Sequence, residues 1–300
     1  MPGKIIVGLD GSLESRAAAD WAAREAALRG LAVKLVHVWE PAPIAHAPLP
    51  GAETRQHWTE RVPREAAEAL RLRHPGVEVD TEQRTGTPSE ALVDAARDAE
   101  LLVLGSRALR GLAGFLVGSV GQSVVARTEV PVVLVRADAQ AADEQQAEVP
   151  AGAPPAATAF PPVVLGLDTG GPDEKVIAFA FEEARRRGAR LTVVHGWDLP
   201  ASYVYSLAAG VDLRPVAADA KAAALAEAVL PWREKYPDVE VTEVSPLGSP
   251  ADHLVGASRD ASLVVVGRRV RRNPFGVHIG SVAHAVMHHA TAPVAVVAHD

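Results

Sequence analysis

The sequence predicts an α/β protein of two tandem domains, each a five-stranded parallel sheet wound with helices on both faces. Three observations predict it: the two halves repeat one another, short apolar runs alternate with helical stretches in each half, and the helix start signals recur at matching places. "IIVGLDGS" (Ile5–Ser12) matches "VVLGLDTG" (Val163–Gly170), so that Asp10 pairs with Asp168. At the same offset Trp21 pairs with Phe179, Glu25 with Glu183, Gly30 with Gly188, His37 with His195 and Trp39 with Trp197. Farther on the offset is longer by four residues and pairs Gly86 with Gly248, Pro88 with Pro250, Gly105 with Gly267, Gly118-Ser119 with Gly280-Ser281, and Pro131 with Pro293. A tandem duplication with one loop insertion between Trp39 and Gly86 accounts for both registers.

In the first half, Lys4–Leu9 is an apolar strand and Ser12 a cap for a helix that runs to about Arg29, with Gly30 as its stop. Val33–Val38 is the next strand, a helical pattern covers Trp58–Leu72, and Val77–Arg84 is a third strand. "TGTPSEALVDAARDA" places Thr87 as N-cap, Pro88 at the first helical position and Glu90 at the third, the layout of a capping box. Ser249, Pro250 and Asp252 repeat it. Leu101–Leu104 is a buried strand, a glycine-rich loop follows, a helix resumes at about Val120, and "PVVLVR" (Pro131–Arg136) closes the half as "PVAVVAH" (Pro293–His299) closes the other. Short apolar strands alternating with helices imply a sheet covered on both faces. The domains are expected at residues 1–138 and 162–300. Between them 139–161, rich in Ala, Pro, Gly and acids and without periodicity, reads as an extended linker.

Composition narrows the function. A hydrophobic content of 48% with 22% charged residues fits a globular chain rather than a disordered one. The net charge of −7 gives no reason to expect nucleic acid as a partner. The absence of cysteine excludes disulfides, thiolate catalysis and Cys-ligated metals. No apolar run approaches the roughly 18–20 residues of a membrane span. "MPGKIIVGLDGS" lacks a signal-peptide layout, so a cytoplasmic protein without membrane partners is expected.

In doubly wound sheets ligands sit beyond the carboxyl ends of the strands, where the winding reverses. Two loops meet there: one carries Asp10, the other runs from Leu104 to Ser119. Gly118-Ser119 stands at a helix N-terminus, where free N–H groups suit a phosphate, and Arg107 and Arg110 add charge. The loop reads as a phosphate cradle, with Asp10 placed for a sugar hydroxyl or a metal. The same glycines serve plain turn chemistry, and spacing by itself does not separate the two readings. No G-x-x-x-x-G-K-[ST] and no helix-opening G-x-G-x-x-G is present, which argues against a P-loop and a dinucleotide site.

The halves resemble the universal stress protein family in its tandem form, over nearly the whole chain except the linker. The resemblance rests on "VGLDGSLESRAAADWAAREA" with "LVHVW", on "GTPSEALVDAARDAELLVLGSR" and "GSVGQSVVARTEVPVVLVR", and on "VVVGRR" and "GSVAHAVMHHATAPVAVV" in the second half. It implies Rossmann-like domains of the adenine nucleotide alpha hydrolase type. ATP-binding members share G-x2-G-x9-G-[ST]. Here Gly105 and Gly118-Ser119 fill the ends and Ala108 stands at the middle glycine; in the second half Gly267 and Gly280-Ser281 fit and Val270 stands in the middle. Ala fits an extended backbone, whereas a β-branched Val is costly at positive φ and crowds a phosphate, so the first domain is expected to bind ATP better. Carried over by the resemblance, Gly8, Asp10, Gly166 and Asp168 lie near the ribose or adenine, and the backbone of Val38 meets the adenine edge, with Gly196 at the matching place. Gly105, Arg107, Gly118, Ser119 and Val120 hold phosphates, as do Gly267, Gly280, Ser281 and Val282 in the second half. The implied ligand is ATP or a related adenine nucleotide, with magnesium as a companion ion, and the implied role is a stress sensor or regulator with slow or no hydrolysis.

Other features have blander readings. "DTGGPDEK" (Asp168–Lys175) resembles the loop of ATP pyrophosphatase-type enzymes, but Thr169 and Glu174 replace its serines. His284 and His288, four apart on one helix face, have no evident third ligand, and no metal is expected. No G-x-S-x-G marks a nucleophile elbow. A nucleotide-free scaffold is the alternative reading. The apolar last strands would be sheet edges, which favours pairing of the two domains with each other and of whole chains as a homodimer, besides a protein partner the sequence does not identify.

Overall fold

The computed structural model describes residues 3–40, 52–108, 115–137, 160–199, 212–270 and 279–300. The chain divides into two compact units, one built on each half.

In the first unit, β1 (Lys4–Leu9) is followed by α1 (Leu13–Arg29), β2 (Ala32–Trp39), α2 (Ala52–Arg73), β3 (Val79–Thr85), α3 (Pro88–Ala95), β4 (Leu101–Ala108), β5 (Phe115–Leu116), α4 (Ser119–Arg127) and β6 (Val132–Arg136). Five strands form a parallel sheet in the order β3-β2-β1-β4-β6. The order reverses between β1 and β4, which puts the ends of those two strands beside one crevice. The second unit repeats the plan with β7 (Val163–Gly166), α5 (Glu174–Arg187), β8 (Leu191–Val194), α6 (Arg214–Lys235), β9 (Val241–Val244), α7 (Pro250–Ala257), β10 (Leu263–Arg269), α8 (Ser281–His289) and β11 (Val294–His299). Its parallel order is β9-β8-β7-β10-β11. Each expected strand and helix is therefore present, with ends displaced by a few residues.

The middle strands are apolar on both faces because helices cover both: Ile5, Ile6, Val7, Leu101, Leu102 and Val103 are fully buried. Helix α1 is an alanine helix. Ala17, Ala18, Ala19, Ala22, Ala23 and Ala26 are all buried, and their small side chains let the helix axis come close to the sheet. Each unit also buries one glutamate in its first helix and neutralises it one turn on. Glu25 meets Arg29 at 2.5 Å, while Glu183 meets both Arg186, at 2.7 Å, and Arg187. Asp20, itself buried, ties α1 to the end of α2 through Arg73 at 2.8 Å and His74 at 3.4 Å.

Two local expectations are corrected. The loop expected directly after Leu104 begins later, because β4 continues to Ala108: Ser106 stays in register with Arg136 of β6, and Arg107 and Ala108 pair antiparallel with Leu116 and Phe115 of β5. The capping box at Thr87 is absent, since its side chain caps nothing and the first turn is closed by backbone bonds from Glu90 and Ala91 to the Thr87 carbonyl. Its counterpart Ser249 does accept from the Asp252 N–H, at 3.4 Å. The linker falls almost wholly outside the described residues. Among the described residues no helix is long and apolar enough to cross a membrane, and no group of three or more metal-binding side chains occurs.

Gly30 and Gly188 end the first helix of each unit in the left-handed region, at φ +66° and +57°, with open space where a Cβ would stand. The whole cost of a side chain there is backbone strain. Gly30→Ala and Gly188→Ala should each lower the free energy of unfolding by about 1 kcal/mol. Urea titration checks this, and two variants as stable as the parent would contradict it.

Candidate functional site

The site begins at the end of β1. A histidine fixes the end of the first strand in both units, His37 within β2 and His195 just beyond β8. His37 Nδ1 lies 2.9 Å from the Leu9 carbonyl, and His195 Nδ1 lies 3.0 Å from the Leu167 carbonyl. A carbonyl only accepts, so Nδ1 carries the proton in each ring. In the second unit this leaves Nε2 to meet the Thr169 hydroxyl at 3.2 Å. The next residue is the aspartate. Asp10 is exposed at the mouth of the crevice, and its Oδ1 accepts from the Ser12 N–H at 3.0 Å and the Ser12 hydroxyl at 2.5 Å. The same Ser12 oxygen caps α1 by accepting from the Ser15 N–H at 3.1 Å. The carboxylate is thus held by the start of the helix that follows it. Asp168 is held by one backbone bond, from the Gly170 N–H at 2.9 Å.

A cleft of about 240 Å³ opens between these groups. Its floor is the carboxyl end of the sheet: Gly8 and Leu9 of β1, Val36 and Val38 of β2, Leu104 and Gly105 of β4. One wall is α3, through Pro88 and Leu92; another is the first turn of α1 with Ser12, Glu14 and Ser15 after Asp10; the third is Gly118–Gly121 at the start of α4. The cleft therefore has an apolar end of Val36, Val38, Pro88 and Leu92 and a polar end of serines, a carboxylate and bare backbone. Among the described residues no side chain caps α4, so the N–H groups of its first turn are offered to the cleft together with the positive end of the helix dipole.

Of the sequence candidates in the first half, Gly8, Asp10, Val38, Gly105, Gly118, Ser119 and Val120 all line this cleft. Arg107 lies in β4, its backbone engaged with Leu116; its side chain and Arg110 fall outside the described residues. Among the described lining residues the formal charges are the carboxylates Asp10 and Glu14. Gly166 ends β7, Asp168 follows it, Gly267 lies in β10, and Gly280, Ser281 and Val282 start α8. Sequence reasoning missed Glu14, Ser15, Pro88 and Leu92 as wall residues. The spacing of Pro88 and Leu92 by one helical turn was the available signal.

The two motif glycines have different reasons to exist. A Cβ at Gly105 would stand 2.5 Å from the carbonyl carbon of Glu14 and 2.7 Å from the Ser15 nitrogen, so this glycine lets α1 press on the end of β4. Gly118 has φ −58° and, among the described residues, nothing within 4 Å of its missing Cβ. The protein's own packing leaves that space to the cleft. Ala108, at the motif's middle position, ends a strand, so its extended backbone takes an alanine without strain. Gly105→Ala should cost roughly 1–3 kcal/mol by overpacking, a loss of several degrees in Tm, whereas Gly118→Ala should cost about 1 kcal/mol or less through a poorer N-cap. Calorimetric melting of both variants tests this, and an equal loss would contradict the packing role of Gly105.

Comparison with known proteins places the chain. The model of the Universal stress protein family matches residues 1–136 and again 159–298. Universal stress protein Rv2005c of Mycobacterium tuberculosis is 37% identical over 97% of this chain and 96% of its own. The crystal structure of a universal stress protein from Archaeoglobus fulgidus superposes with a TM-score of 0.71 at 16% identity, covering 99% of this chain and 98% of that one. A crystal structure of universal stress protein in complex with cAMP is 26% identical, covering 45% of this chain and 98% of that one, with a TM-score of 0.36.

Proposed function

Because the chain belongs to the universal stress protein family, we propose that its first unit binds an adenine nucleotide, ATP by its near-complete motif, and that the protein acts as a stress sensor or regulator rather than as a catalyst. One observation carries the reading: a single cleft at the switch point joins an apolar slot, an exposed carboxylate and the uncapped N-terminus of a helix. A purine needs the first, a ribose hydroxyl the second and a phosphate the third.

In this reading the adenine lies against Val36, Val38 and Pro88, with the Val38 backbone at its edge. Asp10 accepts from a ribose hydroxyl. The N–H groups of Ser119 and Val120 and the Ser119 hydroxyl receive phosphate oxygens. The carboxylates Asp10 and Glu14 oppose a highly charged phosphate chain, so a triphosphate needs a companion cation, magnesium by the family's chemistry. Among the described lining residues no histidine stands ready as a general base, and Asp10 is engaged with Ser12, which supports slow or absent turnover.

Asp10→Ala should weaken ATP binding at least tenfold, the order of one charge-assisted hydrogen bond, and leave the melting temperature within about two degrees, because the carboxylate is exposed. Isothermal titration and melting on the same preparation check both halves. Unchanged affinity contradicts the site; a large drop in melting temperature contradicts the functional role of Asp10.

A further inference from the structure

We propose that the chain holds one nucleotide, in the first unit, because the second unit has filled the apolar end of the matching cleft with its own helix α7. This rests on the nucleotide reading above and assigns the chain its stoichiometry, with Gly196 as the position that closes the second unit.

Val38 of the first unit is matched by Gly196, and Pro88 by Pro250. In the first unit Val38 and Pro88 both line the cleft. In the second, a Cβ at Gly196 would lie 2.5 Å from the Pro250 Cα and 2.9 Å from its nitrogen. The obstacle is backbone, which no rotamer change removes. Gly196 thus allows the first turn of α7 to rest on the strand end where the first unit keeps a slot. A purine with a van der Waals contact on each face needs roughly 7 Å between walls. The Gly196–Pro250 approach closes that slot.

The rest of α7 follows. Leu254 Cδ1 of α7 stands 2.7 Å from the Cβ position of Gly166, a place that Leu104 Cδ2 of β4 takes in the first unit, 2.6 Å from the Cβ position of Gly8, with Leu92 at 3.3 Å. Two bonds order the surrounding segments, one at the approach to α7 and one between the ends of β8 and β9. His253 Nε2 donates to the Leu247 carbonyl at 3.0 Å, and Trp197 Nε1 donates to the Ser245 carbonyl at 3.1 Å. Trp197 is accordingly 6% exposed, while its counterpart Trp39 is 39% exposed. The proposed asymmetry thus rests on Gly196, at the end of the cleft opposite Ala108 and Val270.

Titration calorimetry of the full chain with magnesium–ATP should give one site per chain, and Asp10→Ala should weaken that single site at least tenfold. Hydrogen exchange should show ATP protecting the amides of Ser119–Gly121 while those of Ala251–Leu254 stay unchanged. Gly196→Val should lower the melting temperature by several degrees, since α7 must move off the sheet. Two sites per chain, protection in Ala251–Leu254, or a Gly196→Val variant as stable as the parent overturns the filled cleft and leaves the nucleotide reading standing. No binding at all overturns both.

Discussion

The contact between the first turn of α1 and Gly105 sets the geometry of the candidate site. A parallel sheet brings the ends of β1 and β4 side by side, but how far the following helix stands from those ends depends on what lies between. Here nothing does: the Glu14 and Ser15 backbone occupies the place of a Cβ on β4. The alanines of α1 continue the close approach along the sheet, and Ser12 caps the helix while gripping Asp10. A larger residue at Gly105 would lift the helix start and take the carboxylate with it. The wall, the cap and the placing of Asp10 therefore stem from one missing side chain.

The same contrast, glycine as packing device against glycine as open space, separates the two units. Gly105 and Gly196 are both glycines because backbone lies against them. At Gly105 the backbone is that of α1, and the result is a well-defined cleft. At Gly196 it is that of α7, and the slot is lost. Duplication has preserved the strand order, the buried glutamate of the first helix and the histidine that fixes the first strand's end. Those features serve folding. The units differ where folding leaves freedom, at the wall between the second strand and the third major helix.

Much of this was legible in the sequence because it depends on local rules. Lys4–Leu9, the Ser12 cap and the Gly30 stop follow from period and capping chemistry, and the structure places each as expected. Asp10 and Gly118-Ser119 could be brought together because the switch-point rule needs only the order of elements. What stayed hidden depends on contacts between distant segments. The extension of β4 to Ala108 comes from pairing with β6 and β5, which no property of "SRA" announces. Thr87 has the sequence of a capping residue, yet backbone bonds close that turn. In sequence Gly196 shows only that it stands at the place of Val38, and its distance to Pro250 is what points to a closed slot.

The central claim is that nucleotide enters the first unit at the junction of its apolar slot and the α4 N-terminus. Valine-methyl NMR during an ATP titration tests it most directly, since Val36, Val38 and Val120 line that cleft and Val194 marks the matching strand of the second unit. The account predicts saturable shifts at Val36, Val38 and Val120 with Val194 unmoved. Equal shifts at Val194, or none at Val36 and Val38, would contradict it.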